Sequence, residues 1–336
     1  MTLGFVVGKF YPPHRGHRHL IDTARRGCDR LVVLLPHHVS QKIPGELRKA
    51  WLEEIHPGAE VHLVPDELDD DAGQWARFTV AHLGRAPDVV FSSEDYGPRF
   101  SAFMGARHVM VDRDRAAFPV SGTRVRSSPL DHLEWLEPCV RAWFVRRVVL
   151  IGAESTGKTT LARMLAERYG TRWVEEYGRE YWEAKMARGV PEGPYGAAGA
   201  EPSVAWTSDE FVHIAAEQQR REELLAREAD RVLLCDTNAF ATGTWHERYL
   251  GRRDPRVDAV GLRDRVDLYL LAEPDFPFVQ DGWRDGERIR DWMHAAFVEQ
   301  LAAQPAPVVR LRGPLERRVA EAAAAIDALL AKPFDL

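Results

Sequence analysis

The chain has 336 residues, 45 % of them hydrophobic and 29 % charged, with 45 basic and 51 acidic side chains for a formal net charge of −6. Such values exclude a largely disordered chain and leave room for about two domains of roughly 100–200 residues each. A net-acidic chain is a poor non-specific nucleic-acid binder, because phosphate backbones demand clustered Lys and Arg, so no DNA partner is expected.

Leu3–Val7 reads as a buried strand that ends in a glycine-containing turn, and a helix is predicted over His17–Arg26. Short apolar runs bounded by turn residues predict further strands at Arg30–Leu35, Glu60–Val64, Asp88–Phe91 and His108–Val111. At Val148–Ile151 the opening repeats itself: an apolar strand, a Gly-rich loop, then a helix over Lys158–Tyr169. Strands follow at Arg172–Val174, Arg231–Cys235, Asp267–Leu271 and Pro307–Leu311, with helices over Ser208–Arg227 and Arg317–Leu330. The stretch Gly189–Pro202, rich in Gly, Pro and Ala, reads as a mobile loop or an insertion. Strand, phosphate-friendly turn and helix form the start of a βα unit. The fold class expected is therefore α/β with two parallel-sheet domains: a Rossmann-like domain over 1–144 and a P-loop domain over 145–336.

Three cysteines, Cys28, Cys139 and Cys235, match no zinc or disulfide spacing, and no stretch approaches the roughly 20 apolar residues of a membrane helix. A cytoplasmic protein without a membrane partner is expected. A homo-oligomer is compatible with the sequence.

The segment Gly8-Lys9-Phe10-Tyr11-Pro12-Pro13-His14-Arg15-Gly16-His17 follows the first strand. The free N–H groups and macrodipole of a helix start favour an anion there. Gly16 leaves space for a phosphate, Lys9 adds a positive charge, and His14 and His17 can donate to phosphoryl oxygens that gain charge in a transition state. No protein nucleophile is needed, since such a site can position one phosphate to attack the α-phosphorus of a nucleotide. Downstream, Val120-Ser121-Gly122-Thr123-Arg124-Val125-Arg126 sets small hydroxyl residues and glycine before two arginines, a pattern suited to a triphosphate with Arg126 on the β- or γ-phosphate.

Gly152-Ala153-Glu154-Ser155-Thr156-Gly157-Lys158-Thr159 fits the P-loop, and its place between strand and helix is the context that motif requires. Backbone N–H groups from Gly152 to Thr160 would cradle the phosphates of ATP, Lys158 reach the β/γ oxygens, and Thr159 offer its hydroxyl to Mg²⁺. Asp236, at the end of an apolar strand, is open to three roles: base for an attacking hydroxyl, Mg²⁺ group, or helix cap. The base is preferred because a hydroxyl must lose its proton. The run Glu175-Glu176-Tyr177-Gly178-Arg179-Glu180-Tyr181 would face the same sheet edge, its carboxylates suited to ribose hydroxyls and its tyrosines to a base. Gln280–Arg290, with Arg284 and Arg288, reads as a basic segment able to close over ATP.

His-x-Gly-His with a distal Ser-Gly-Thr-x-x-Arg resembles the nucleotidyltransferase superfamily. The longer Gly-Lys-Phe-Tyr-Pro-x-His-x-Gly-His is similar to the adenylyltransferase domain of bifunctional NadR-type proteins, as are Ser92-Ser93-Glu94-Asp95-Tyr96-Gly97 and the region of Trp75. The second half resembles the ribosylnicotinamide kinase domain of the same proteins, through the P-loop, Glu-Tyr-Gly-Arg-Glu-Tyr, Asp236-Thr237 and Asp-Gly-x-Arg. The resemblance implies that ATP and Mg²⁺ serve phosphorylation of nicotinamide riboside to nicotinamide mononucleotide (NMN), and that NMN is then adenylylated to NAD with release of pyrophosphate. It also implies Trp75, Glu94 and Tyr96 as NMN contacts, and Glu176, Tyr177, Arg179 and Tyr181 as riboside contacts. The chain starts directly at the adenylyltransferase strand, without the helix-turn-helix of repressor members. Two rival expectations remain: a nucleotide- or NAD-sensing regulator with a weak N-terminal site, or the same folds acting on another nucleoside.

Overall fold

The apolar runs become ten strands in two parallel sheets of a computed structural model that describes residues 1–187, 205–279 and 287–336. By their contacts, Met1–Phe144 with Pro333–Leu336 form one unit and Val145–Lys332 another.

In the first unit, β1 (Leu3–Val7), β2 (Arg30–His37), β3 (Glu60–Pro65), β4 (Val89–Ser92) and β5 (Arg107–Met110) lie in the order β3-β2-β1-β4-β5. Side chains alternate between the two faces of a strand, and both faces here are covered. Val6, Leu31, Val33 and Leu35 pack with Leu20, Ile21 and Ala24 of the helix Arg15–Arg26 on one face. Phe5, Val32 and Leu34 pack with Ala76, Phe100 and Met104 on the other. Because β2 and β4 flank β1 from opposite sides, the chain changes direction at β1, and a crevice opens beyond its C-terminal end. β4 and β5 are displaced by one residue from the predicted runs, as their mutual register, Val89↔Arg107 to Ser92↔Met110, decides which residues pair.

In the second unit, β6 (Arg146–Ile151), β7 (Trp173–Val174), β8 (Val232–Asp236), β9 (Leu268–Ala272) and β10 (Val308–Leu311) take the order β10-β9-β6-β8-β7. Val148 and Leu150 of β6 join Leu234, Leu270, Leu161 and Leu165 in a fully buried core. The helix Ser208–Ala226 starts in a capping box: Thr207 accepts from the Glu210 N–H while Glu210 accepts from that of Thr207. A cap of this kind contributes about 1 kcal/mol. The predicted insertion at Gly189–Pro202, and Arg284 with most of its basic segment, lie outside the described residues.

Candidate functional site

The first-unit residues expected to bind ATP or NMN, from Gly8 and His17 to Trp75, Tyr96 and Arg126, line one cleft of about 1140 Å³ at the C-terminal edge of β1, whereas Arg124 of the same motif does not. The chain leaves β1 through Gly8 and then takes a left-handed turn at the buried Phe10, φ 43°. Two guanidinium groups hold this turn. Arg126 donates to the Tyr11 carbonyl at 2.6 Å, the fully buried Arg48 donates to the Lys9 carbonyl, and each lies 5.3 Å from the centre of the Tyr11 ring. Lys9 itself pairs with Asp66 at 2.8 Å.

His14 caps the helix Arg15–Arg26, its Nδ1 accepting the His17 N–H at 3.3 Å, and the two imidazoles stack with centres 3.6 Å apart. Burial, helped by the charge of Arg115, pushes the pKa of His14 down to about 4. Burial also holds His17 well below its usual value, with His14 and Arg115 adding to the effect. Both rings are therefore neutral near pH 7. A neutral His14 whose Nδ1 accepts carries its proton on Nε2 and can donate from there. A Cβ on Gly16 would stand 3.1 Å from the His14 ring, so the glycine admits the stacked histidine as well as any phosphate.

Ser121 caps the short helix Gly122–Ser127, accepting from the Arg124 N–H at 3.2 Å. A Cβ on Gly122 would come 3.0 Å from the Tyr11 carbonyl, which is how closely this helix approaches the histidine turn. Trp75 stands edge-on to Phe78, the Tyr96 hydroxyl donates to the Val7 carbonyl at 3.0 Å, and Glu94 accepts from Arg115 at 3.0 Å. Arg48 and Arg115 escaped sequence reading, since neither belongs to a motif and only packing brings them to the site.

In the second unit the P-loop needs three unusual backbone positions, Gly152 at φ 150°, Ser155 at 55° and Gly157 at 81°. A Cβ on Gly152 would meet the Ala272 carbonyl at 2.7 Å. Lys158 donates to the carbonyls of Gly152 and Ala153 at 2.9 and 3.0 Å. Two buried arginines brace the loop from below: Arg290 donates to the Ser155 carbonyl at 2.8 Å and Arg318 to that of Thr156 at 3.1 Å, both beside the Phe276 ring. The sequence suggested that the basic segment ending at Arg290 would be free to close, yet Arg290 is locked under the loop. Arg288 is exposed in the turn Glu287–Ile289 and does not line the cleft.

The register Leu150↔Asp236 sets the end of β8 beside the start of the P-loop. Asp236 accepts from the Thr159 hydroxyl at 2.5 Å, and its Oδ1 is buried with no partner among the described residues. It caps no helix, as the helix Ala239–Leu250 starts from Asn238. Burial pushes its pKa up while Lys158 pulls it down. Glu176 is pushed up to about 7, by burial first and then by Asp236 and Glu154, against the pull of Lys158.

A cleft of about 170 Å³ runs from Glu154–Thr160 past Glu176 and Arg179. Its far wall is aromatic: Trp182 stacks on Trp206 at 5.7 Å, Trp206 lies 5.3 Å from Tyr249, and Trp245 stacks on Tyr249 at 6.3 Å. Tyr177 and Tyr181 stand outside it, their hydroxyls engaged with His213 and Glu210 at 3.1 Å each. No group of three or more His, Cys, Asp or Glu among the described residues is arranged to hold a metal ion. No described helix is long and apolar enough to cross a membrane.

A histidine turn facing a capped arginine helix, and a P-loop facing an acidic strand end, define a protein with a cytidylyltransferase-like unit and a P-loop unit. Residues 5–127 match the cytidylyltransferase-like family and residues 147–318 the AAA domain family, to which the chain belongs. The chain is homologous to NadR. It is 29 % identical over 308 residues to the trifunctional NAD biosynthesis/regulator protein NadR of Escherichia coli (strain K12), covering 84 % of this chain and 72 % of that protein. For the Salmonella typhimurium (strain LT2) protein of the same name the identity is 28 % over 306 residues, with the same coverage. The fold is that of a NadR protein solved in complex with NR (TM-score 0.78, 22 % identity) and of one solved with NAD and AMP-PNP (0.74, 19 %). In both comparisons the match spans 100 % of this chain and 98 % of the other.

Proposed function

We propose that the protein is a bifunctional cytoplasmic enzyme of NAD salvage: its second unit phosphorylates nicotinamide riboside to NMN with MgATP, and its first unit adenylylates NMN to NAD. The observation that carries the reading is the aromatic wall sharing one cleft with a P-loop. The nicotinamide ring of the riboside is a planar cation, and aromatic faces attract such a ring by stacking and by their quadrupoles. The names of the homologues and the ligands of the solved NadR proteins, NR in one and NAD with AMP-PNP in the other, support it.

In the kinase step the riboside 5′-oxygen bonds to the γ-phosphorus of ATP as the bond to the β-phosphate oxygen breaks, leaving ADP. Glu176, poised near pH 7, takes the hydroxyl proton. Lys158, released from the carbonyls it now holds, neutralises the transferring group. Thr159 and Asp236 would hold Mg²⁺, which supplies charge neutralisation on the phosphates when bound. A hydroxyl beside a carboxylate with an orphaned oxygen suits a hard cation that keeps most of its ligands as water and phosphate. The metal-side role of Asp236 thus replaces the base role preferred from sequence.

In the adenylyl step an NMN phosphate oxygen attacks the α-phosphorus of ATP and pyrophosphate leaves. His14 and His17 donate to the phosphoryl oxygens, Arg126 and the Ser121–Thr123 turn take the departing phosphates, and Trp75, Glu94 and Tyr96 border the NMN side. Purified protein given riboside and MgATP should yield NMN and then NAD by chromatography. NMN without NAD would leave the first unit a sensor, and an untouched riboside would send the kinase assignment to another nucleoside.

A further inference from the structure

We infer that Asn238 reads the sugar of the nucleoside bound in the P-loop cleft, making the site specific for a ribose hydroxyl; the inference rests on the kinase reading of that cleft. Asn238, Thr242, Trp245 and Tyr249 all line it. Their spacing of four, three and four residues is one face of the helix Ala239–Leu250, with Asn238 at its start. At 1.5 Å per residue, Asn238 and Trp245 are roughly 10 Å apart along the axis. The polar end of this face adjoins Asp236 and the P-loop, and its aromatic end forms the far wall. A nucleoside lying along it has its reacting hydroxyl at the P-loop, its ring among the aromatics, and its sugar beside Asn238 and Thr242.

The state of the Asn238 amide singles it out. The side chain is fully buried, and neither its Oδ1 nor its Nδ2 has a hydrogen-bond partner among the described residues. The Tyr269 hydroxyl lies close enough to interact with the amide, and one hydroxyl would use only part of an amide's acceptor and two donors. Asparagine at a helix start normally caps the first turn, yet this one makes no such bond. The preceding Thr237 is left-handed, φ 62°, a conformation uncommon outside glycine, so the strand end is bent where it delivers Asn238 to the cleft. The other amide of the wall, Gln218, is already engaged, accepting the Tyr177 N–H at 2.9 Å. A buried amide with a free acceptor and free donors matches a hydroxyl, which both donates and accepts, and leaving it unmade is costly.

The test compares nicotinamide riboside with its 2′-deoxy and 3′-deoxy analogues in the full-length wild type and in Asn238→Ala. Wild type should prefer the riboside over at least one analogue by tenfold or more in kcat/KM. Asn238→Ala should lose about 10- to 100-fold on the riboside, mostly through KM, and stay within about twofold on that analogue, so the preference collapses. A common loss on all three substrates would make the residue merely structural, and no loss on any would mean the amide is served by water. Either result overturns the inference. Asn238→Ser carries the same comparison should the alanine variant not fold. If wild type phosphorylates none of the three, the kinase reading fails on its own. The sugar preference is then read from binding, through quenching of Trp182, Trp206 and Trp245, and equal affinities for all three sugars would sink the inference separately.

Discussion

The two proposed phosphate sites of this molecule start from the same local plan and diverge in what would supply the charge. Each begins at the C-terminal end of the central strand of a five-stranded parallel sheet, β1 in one unit and β6 in the other. In the first unit the donors are side chains, a stacked pair of imidazoles held neutral by burial, in a wide cleft of about 1140 Å³. In the second the proposed donors are a backbone loop and Lys158, with Glu176 pushed up to about 7 and Asp236 pushed up by burial beside them, in a cleft of about 170 Å³. The difference suits the two reactions. Adenylyl transfer joins an anion that is already a nucleophile to a nucleotide, so the site needs donors and room for two nucleotides. Transfer to a hydroxyl needs an acceptor for its proton, the role proposed for the buried Glu176. Strand order contributes as well: in the second unit β8 inserts between β6 and β7, which brings Asp236 against the P-loop, whereas β4 beside β1 brings only Ser92 and the loop after it.

The contrast breaks most directly at Glu176. Glu176→Gln keeps the shape and removes the proton acceptor, so riboside phosphorylation should fall about 10²- to 10⁴-fold while adenylylation of supplied NMN stays at its wild-type rate. A rate assay in which phosphorylation survives would return the base role to Asp236. The reciprocal change is His17→Ala, which removes one donor at the α-phosphate and should lower NAD formation from NMN by about 10²- to 10³-fold. Riboside phosphorylation should be untouched, and equal loss of both activities would point to misfolding rather than to a lost donor.

The smallest effect is the pH profile, a change of severalfold between pH 6 and 8. Glu176 is ionised only above about 7, so phosphorylation should rise with pH through that value and level off. His14 and His17 are already neutral across the window, so adenylylation should stay nearly flat. The same shifts act oppositely on stability. The pKa of His14 drops from 6.5 to about 4 on folding, so the unfolded chain binds more protons between those values, and its contribution is full above 6.5 and lost as pH falls through 4. Glu176 rises from 4.5 to about 7, so its contribution is full below 4.5 and lost as pH rises through 7. Thermal unfolding of His14→Gln between pH 4 and 7 should show the first slope flattened; an unchanged slope would assign the acid sensitivity to other groups.

Much of the fold was legible because its signals are short-range. The helix Lys158–Tyr169 coincides with its prediction: the P-loop glycine stands before it and Gly170, left-handed at φ 59°, ends it. The helix predicted from His17 begins at Arg15 because His14 is the cap, a use of histidine that the usual Ser, Thr, Asp and Asn preference does not announce. The two predicted tyrosines of the riboside site sit outside the cleft, and Trp182, one residue beyond Tyr181, faces it instead. Which side of a helix meets a cavity depends on what packs against the rest of it.

By itself the sequence determined the two α/β units, the order of their strands along the chain, and the place of the two turns proposed to bind phosphate, because a P-loop or a His-x-Gly-His turn keeps its chemistry within a dozen contiguous residues. Only the tertiary structure decided the protonation of that chemistry and the shape of the pockets. His14 and His17 are neutral because the fold buries them, with Arg115 adding to the effect, and Glu176 is pushed up to about 7 by burial first and then by Asp236 and Glu154, which arrive from other elements. The aromatic wall draws on Trp182, Trp206, Trp245 and Tyr249 from three separate stretches of chain. Burial and charge act through space, and local periodicity records neither.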